Sequence, residues 1–444
     1  MSESSSSKTK DYQPAEVYVR IRPYASTGYH GQEKIENVSG PSNHKRIHSY
    51  DENSITLSDQ NNTKMDIYKY PKCIIKPEIN QNDTFKLLQL PEKINYFIKG
   101  HNCTAIAYGQ TGSGKTHTMF GPPSLAKEIR QMNDVNIKDE KTFPQEWGLF
   151  ARTILTIFKK MEELKSKTQS EFYFSATVIE IYFMEVYDLL NNKQKIPTSP
   201  HQPGEFDYGK AKEMKLEGLD DVAKVAQIIM TKRASRGTSC NDTSSRSHCI
   251  CTLNLICVSK EGSNKLVRRN EFTFADLSGS EKVEKTDHSL NSMAGWEGMA
   301  INWDLHQFGK TVLHMGQQQR ANRKAGIKKP AMKNYSSLLA RVLAGSIEGE
   351  SFSCMVVCLS QSDNNGNESR NSLLFGENFS KIVPPFPPIQ PNINLELKLK
   401  KAKKAYDENE KAVKTVSPTN PFYSKRVAAM ESLKTEIEFL EKYI

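Results

Sequence analysis

Residues Gly109-Gln110-Thr111-Gly112-Ser113-Gly114-Lys115-Thr116 constrain this chain more than any other stretch. They match GxxxxGK[ST] at every fixed position and follow an apolar run, Thr104 to Tyr108, that reads as a strand. The glycines let successive backbone N–H groups turn inward around a phosphate chain. In that setting Lys115 reaches the β- and γ-phosphate oxygens, and the Thr116 hydroxyl binds Mg²⁺. The helix that follows has room only from Thr116 to Phe120 before Gly121-Pro122-Pro123, so it must stop early.

Two further segments fit a sensor of the terminal phosphate. Asp276-Leu277-Ser278-Gly279 is a DxxG at the end of an apolar run. Asp276 is placed to hold a Mg²⁺-bound water, and the Gly279 N–H to touch the γ-phosphate. Asn241-Asp242-Thr243-Ser244-Ser245-Arg246-Ser247-His248 is a hydroxyl-rich loop able to reach the same phosphate and metal. No NKxD-type guanine reader occurs, which favours ATP over GTP.

Around these motifs, strand-like and helix-like stretches alternate to about residue 383, the pattern of one large α/β domain. The strand-like runs are Val17–Arg22, Thr104–Tyr108, Phe172–Ile181, Cys249–Val258, Phe272–Ala275 and Cys354–Leu359. Leu149–Met161 and Val222–Met230 have helical spacing. Pro122–Trp147 and Asn191–Gly209 read as long surface loops, and residues 1–13 as a disordered tail. The eight cysteines form no CxxC and mostly lie in apolar runs, as small core residues of a reducing compartment do. No run of about 18 apolar residues is present, so no membrane span is expected.

Together these segments resemble the kinesin motor domain. Val19-Arg20-Ile21-Arg22-Pro23 looks like the family's adenine-side RxRP, and Ala107 through Met119 like its P-loop. Asn241–His248 matches its NxxSSRSH, and Asp276–Glu281 its DLAGSE, with Ser278 where Ala is usual. Glu180-Ile181-Tyr182, Val186–Leu190, Glu368 and Leu373-Leu374-Phe375 also fit, all in family order from residue 17 to about 382. The resemblance implies an α/β P-loop NTPase fold of kinesin motor type, with a central mixed β-sheet flanked by helices on both faces. It implies ATP and Mg²⁺ as cofactors and a microtubule-stimulated ATPase. Arg20, Pro23 and His117 would flank adenine, while Gln110, Thr111, Gly112, Ser113, Gly114, Lys115, Thr116, Asn241 and Ser244 would line the phosphates. Thr116 and Ser245 would hold Mg²⁺, with Asp276 acting through water. Lys115, Ser245, Arg246, Gly279 and Glu281 would carry hydrolysis, Arg246 and Glu281 as an ion pair closing over ATP.

The filament-facing half departs from the family. Ile301-Asn302-Trp303-Asp304-Leu305 stands where INKSL is usual, and an exposed Asp304 would repel acidic tubulin. Arg341 survives from the family's HVPYRxSKLTRLL, while Tyr335 and Leu338 take two of its basic positions. Sixty-one Lys+Arg against 51 Asp+Glu leave a net charge of +10. His314–Lys333 concentrates part of it as an acid-free, flexible basic loop containing Arg320, Arg323, Lys324, Lys328, Lys329 and Lys333. Such a loop suits an acidic tubulin tail. Without interleaved aromatics it argues against nucleic acid.

Beyond the domain (14–383), residues 384–394 form a proline-rich, neck-linker-like segment whose missing N–H donors should weaken strand docking. Residues 395–444 are helix-favouring. Met430, Leu433, Ile437, Leu440 and Ile444 form a stripe of about two and a half heptads. That stripe suits either a dimer partner or packing back on the domain. The expectation is a cytoplasmic, microtubule-associated motor; the alternative is a non-motile scaffold on microtubules that keeps the fold.

Overall fold

The computed structural model describes residues 15–23, 45–59, 64–70, 72–132, 143–197, 211–234, 246–261, 264–281, 293–325, 335, 337–362, 365–383, 389–417 and 420–441. Its strands are β1 (Glu16–Ile21), β2 (Lys45–Tyr50), β3 (Ser54–Asp59), β4 (Met65–Lys69), β5 (Ile74–Ile75), β6 (Asn102–Tyr108), β7 (Glu171–Tyr182), β8 (Glu185–Asp188), β9 (Gln194–Ile196), β10 (Met214–Lys215), β11 (His248–Glu261), β12 (Asn264–Asp276), β13 (Ser351–Leu359) and β14 (Ile393–Asn394).

Continuous apolar runs make the centre of the sheet. Every residue of β1 and β13 is buried, as strands covered on both faces must be. They pair in parallel with each other and, through β13, with β6 and then β12. From β12 outward the order continues antiparallel through β11, β7, β8 and β9. The sheet is therefore mixed. Side chains alternate between its faces: Tyr18 joins one apolar core, while Val17, Val19 and Ile21 join the other. The first core contains Phe97, Phe120, Trp147 and Phe150; the second contains Phe308, Val312, Leu373 and Phe379. Helices thus cover both faces, as the fold class required. A separate antiparallel sheet, β2-β3-β4, completes the domain.

The helix after the P-loop spans only Lys115–Met119. It ends where two glycines let the backbones touch: a Cβ on Gly121 (φ +103°) would lie 2.7 Å from the Gly148 nitrogen. The Pro122–Trp147 stretch is not simply a surface loop. Leu125–Arg130 is a helix whose Leu125, Ala126 and Ile129 are buried, and buried Trp147 donates its indole N–H to Glu128 Oε2 at 2.7 Å. Its prolines and charges hide this short apolar face from a window-based reading. Residues 133–142 of that stretch, and 198–209 of the second expected loop, lie outside the described residues, as does the tail at 1–13.

The expected basic loop is also corrected. The long helix runs Met293–Ala325, so residues 314–325 are helical. Buried Met315 and Gln319 anchor this half: Gln319 Nε2 donates to Ile347 O at 2.8 Å, and its Oε1 accepts from Val383 N at 2.9 Å. Arg320 is exposed on this helix. Arg323 and Lys324 lie on its last turn, and Lys328, Lys329 and Lys333 lie outside the described residues.

The C-terminal part docks on the sheet despite its prolines. Gln390 N donates to Gly100 O at 2.8 Å, Ile389 bridges to His101, and β14 pairs antiparallel with Leu266 and Val267 of β12. Residues 384–388 lie outside the described residues. The pairing positions Ile389, Gln390, Ile393 and Asn394 are all non-proline and keep their N–H donors, which is why the intervening prolines do not prevent docking. Helices Leu395–Thr415 and Pro421–Glu441 then pack on each other as a hairpin. Leu395, Ala402 and Leu440 are buried with Ile256, Val258 and Val267, flanked by Leu433 and Ile437. Leu433, Ile437 and Leu440 of the heptad stripe thus pack within the chain, while Ile444 lies outside the described residues. Each fully buried leucine in this cluster contributes roughly 1.5–3 kcal/mol, comparable to the whole two-residue ladder.

Candidate nucleotide site

The parallel register of β6 with β12 sets Ala107 opposite Asp276, so two strand ends open at one point. Such a carboxyl end of parallel strands is where α/β sheets bind ligands. Gly109 leaves β6 at φ +149°, with a Cβ-free approach to Cys358 O and Ser113 Oγ; Gly112 and Gly114 also have positive φ. Lys115 is buried and donates to Gly109 O at 2.8 Å and Gln110 O at 2.7 Å, so the ammonium spans the loop's mouth. Ser113 Oγ donates to Gln110 O at 2.8 Å and closes the turn from inside.

The Thr116 hydroxyl donates to Asp276 Oδ2 at 2.6 Å. Asp276 is fully buried. A hydroxyl beside a carboxylate is a hard oxygen donor pair, which suits Mg²⁺ bound directly by Thr116 and through water by Asp276. Beyond Asp276 the chain continues along the P-loop: Leu277 N donates to Ala107 O and Ser280 N to Gly109 O, both at 3.2 Å. This brings Glu281 onto Thr111, whose amide donates to Glu281 Oε2 at 2.8 Å and whose hydroxyl donates to Oε1. Gly279 is enclosed by the same pair, since a Cβ there would collide with the Glu281 carboxylate and the Thr111 hydroxyl. Asn302 Nδ2 donates to Glu281 O at 3.1 Å, linking the long helix to this segment.

Of the hydroxyl-rich loop, Arg246, Ser247 and His248 are described; Asn241, Ser244 and Ser245 lie outside the described residues. Ser247 Oγ donates to Glu180 Oε1 at 2.8 Å. His248 Nδ1 accepts from Ser278 N at 3.0 Å, so its proton sits on Nε2, 3.5 Å from the buried Ser278 hydroxyl. The Ser278 hydroxyl therefore adds a polar link between the DxxG segment and the end of the hydroxyl-rich loop.

At the segment expected to flank the base, Arg20 is buried. One of its guanidinium nitrogens donates to Gln81 Oε1 at 2.6 Å and Thr118 Oγ1 at 2.8 Å. Gln81 in turn donates to His117 O. Arg22 reaches over the P-loop to Gly112 O. Burial, with Arg20 and Arg22 nearby, lowers the His117 imidazole to about 4. The same shift disfavours the charged ring at its 3.4 Å contact with Glu146. Sequence reasoning passed over Arg22 as a site residue although it belongs to the RxRP segment. Gln81, 61 positions from Arg20, carries no local signal.

The residues expected to face the filament do not share one surface. Asp304 is buried, not exposed, so the expected repulsion falls away. It faces Ser337 and the Leu338 and Leu339 amides at the start of helix Leu338–Val342, with Arg341 nearby. Burial outweighs these and pushes its carboxyl up to about 6. Tyr335 and Leu338 are buried core residues. Trp303 is exposed, on the rim of a cleft of about 810 Å³ whose lining includes Glu281, Leu313 and Phe375. Among the described residues no helix is long and apolar enough to cross a membrane.

A glycine-rich loop closed by its own lysine, with a serine/threonine hydroxyl on an aspartate from the neighbouring parallel strand, defines a P-loop NTPase site. The sequence profile described as "Kinesin motor domain" matches residues 20–382, and the chain belongs to that family. It is 30% identical over 314 residues to the mouse chromosome-associated kinesin KIF4, covering 70% of this chain and 23% of that protein. It is 28% identical over 375 residues to the kinesin-like protein KIN-14T of Arabidopsis thaliana, covering 82% of this chain and 37% of that one. The chain thus spans about a quarter to a third of these relatives' length. A solved KIF14 dimer in complex with a microtubule superposes with a TM-score of 0.66 at 20% identity, covering 85% of this chain and 96% of that one.

Proposed function

We propose that this chain is an ATP-hydrolysing, microtubule-binding kinesin motor domain, acting on the cytoskeleton in the cytoplasm. Residues 14–383 form the motor, 384–394 its linker and 395–444 a helical extension. The carrying observation is the convergence of Lys115, Thr116, Asp276, Gly279 and Glu281 at the ends of β6 and β12. Phosphoryl transfer needs positioned charge and an oriented water more than covalent chemistry, and this set supplies both.

In this reading Lys115 leaves its loop carbonyls for the phosphates, and Gln110 to Gly114 cradle them. Thr116 and Ser245 would hold Mg²⁺, which would supply positive charge to the phosphates. Glu281 leaves Thr111 to pair with Arg246 and orient the attacking water, while the Gly279 N–H contacts the γ-phosphate. Asn241 and Ser244 complete the phosphate shell; Pro23, His117 and Arg22 flank the base, with Arg20 acting from behind through Gln81. Arg320, with Arg323, Lys324, Lys328, Lys329, Lys333 and Arg341, supplies attraction to acidic tubulin.

Steady-state ATPase with and without microtubules tests the reading. Microtubules should raise turnover. Absence of turnover with Mg²⁺ and microtubules present would overturn it.

A further inference from the structure

We propose that the first turn of helix Gln81–Leu87 frames the base side of the nucleotide site, with Gln81 as a positioning residue that sets how tightly the base is held. This deepens the ATP-binding reading and rests on it.

The P-loop helix is too short to satisfy its own backbone. An α-helix leaves its last turn of carbonyls without internal partners, and Lys115–Met119, with five residues, is nearly all end. Thr116 O accepts from Phe120 N and Gly121 N. His117 O is met from outside the helix, by the side-chain amide of Gln81, which donates to it. The oxygen of the same amide accepts from Arg20 at 2.6 Å. Arg20 also donates to Thr118 Oγ1 at 2.8 Å, and that hydroxyl contacts Gly114 O at 2.8 Å. Gln81 and Arg20 are both buried, so a bond lost here is not replaced by one to bulk water.

The helix start that carries Gln81 is itself fixed. Asn80 caps it by accepting from Asp83 N at 2.9 Å. The neighbouring Asn82 accepts from buried Arg152 at 3.2 Å, and Arg152 donates to Pro144 O at 2.5 Å and Trp147 O at 2.9 Å. Between those two carbonyls stands Glu146, whose carboxylate lies 3.4 Å from the His117 ring. Gln81 thus holds the His117 backbone, while Asn82, through Arg152, holds the loop that lies against the ring. The phosphate-side groups are held separately: Lys115 by Gly109 O and Gln110 O, and Thr116 by Asp276. Loosening Gln81 should therefore weaken the grip on the base and spare the grip on the phosphates.

Turnover and equilibrium binding on the full chain test this, with Mg²⁺-ATP set against Mg²⁺-tripolyphosphate, a probe that has the phosphates and no base. Gln81→Glu keeps an acceptor for Arg20 and loses only the donor to His117 O, so the fold should survive. It should raise KM for ATP about tenfold with kcat within about twofold, and leave the Kd for tripolyphosphate within about twofold of the parent. An unchanged KM for ATP would overturn the proposal. Equal losses for ATP and tripolyphosphate would also overturn it, because the P-loop as a whole would then be disturbed. Hydrogen exchange without nucleotide adds an independent arm. The amides of Thr118, Phe120 and Gly121 should exchange at least about fivefold faster in Gln81→Glu than in the parent, while β13 stays protected. Equal rates would overturn the brace. If the unmodified chain binds neither ATP nor tripolyphosphate, the ATP-binding reading fails, and the exchange rates still decide whether Gln81 holds the helix.

Discussion

The two ends of β12 contrast sharply. At its C-terminal end, Asp276 accepts from Thr116 of the P-loop helix and, two residues on, Ser278 donates to His248, all polar contacts. At its N-terminal end, Val267 lies under Leu395 and Leu440 in an apolar cluster. Hydrogen bonds between charged and polar groups can be exchanged for bonds to a ligand at little net cost, because each leaves one partner for another. Apolar burial has no such alternative partner and is lost whenever the surfaces separate. The polar end is thus suited to exchanging partners, while the apolar end holds only as long as its surfaces stay together.

Four substitutions probe that contrast. Lys115→Ala removes the cation from the polar end and should lower the ATPase rate by about 10³-fold; a rate within tenfold of the parent would take Lys115 out of the chemistry. Gly279→Ala forces a methyl group into the Thr111–Glu281 contact and should cost roughly 10- to 100-fold in turnover with Tm almost unchanged. Normal turnover would show that this segment yields more easily than its packing suggests.

Asp304→Asn tests a charge buried where neither polar nor apolar logic is satisfied. The folded carboxyl, raised to about 6, binds a proton that the unfolded chain, near 4, does not. Stability of the parent should therefore fall as pH rises from about 4 to 6 and stay lower above it. The variant lacks this loss. Thermal melts should find it more stable by about 1–3 kcal/mol at pH 7.5, with the gap closing toward pH 4.5. A gap independent of pH would mean that Asp304 does not titrate there. Asn394→Ala, at the apolar end, should cost about 1 kcal/mol of helix capping, seen as faster exchange at 395–399. No change would place the hairpin's stability wholly in its buried leucines.

Much of the polar end was legible from local motifs. Lys115, Thr116, Asp276 and Glu281 sit in segments whose backbone geometry is fixed within a few residues. The same local reading failed along the long helix. Six basic residues in a short span suggested a loop, yet Met315 and Gln319 commit residues 314–325 to a helix through partners at Ile347 and Val383. Asp304 read as an exposed repulsive charge, because nothing adjacent in sequence reveals that Ser337, Leu338 and Leu339 lie over it.

By itself the sequence determined the α/β class, the phosphate loop with its early helix stop, and the heptad spacing of the last helix. Each follows from dihedral preference and side-chain periodicity over a few neighbours. Tertiary structure alone decided what those features meet: Glu281 on Thr111, Gln81 behind Arg20, Asp304 under a helix start, and the heptad stripe on β11 and β12. Those contacts join residues tens to hundreds of positions apart, and burial rather than local propensity selects them.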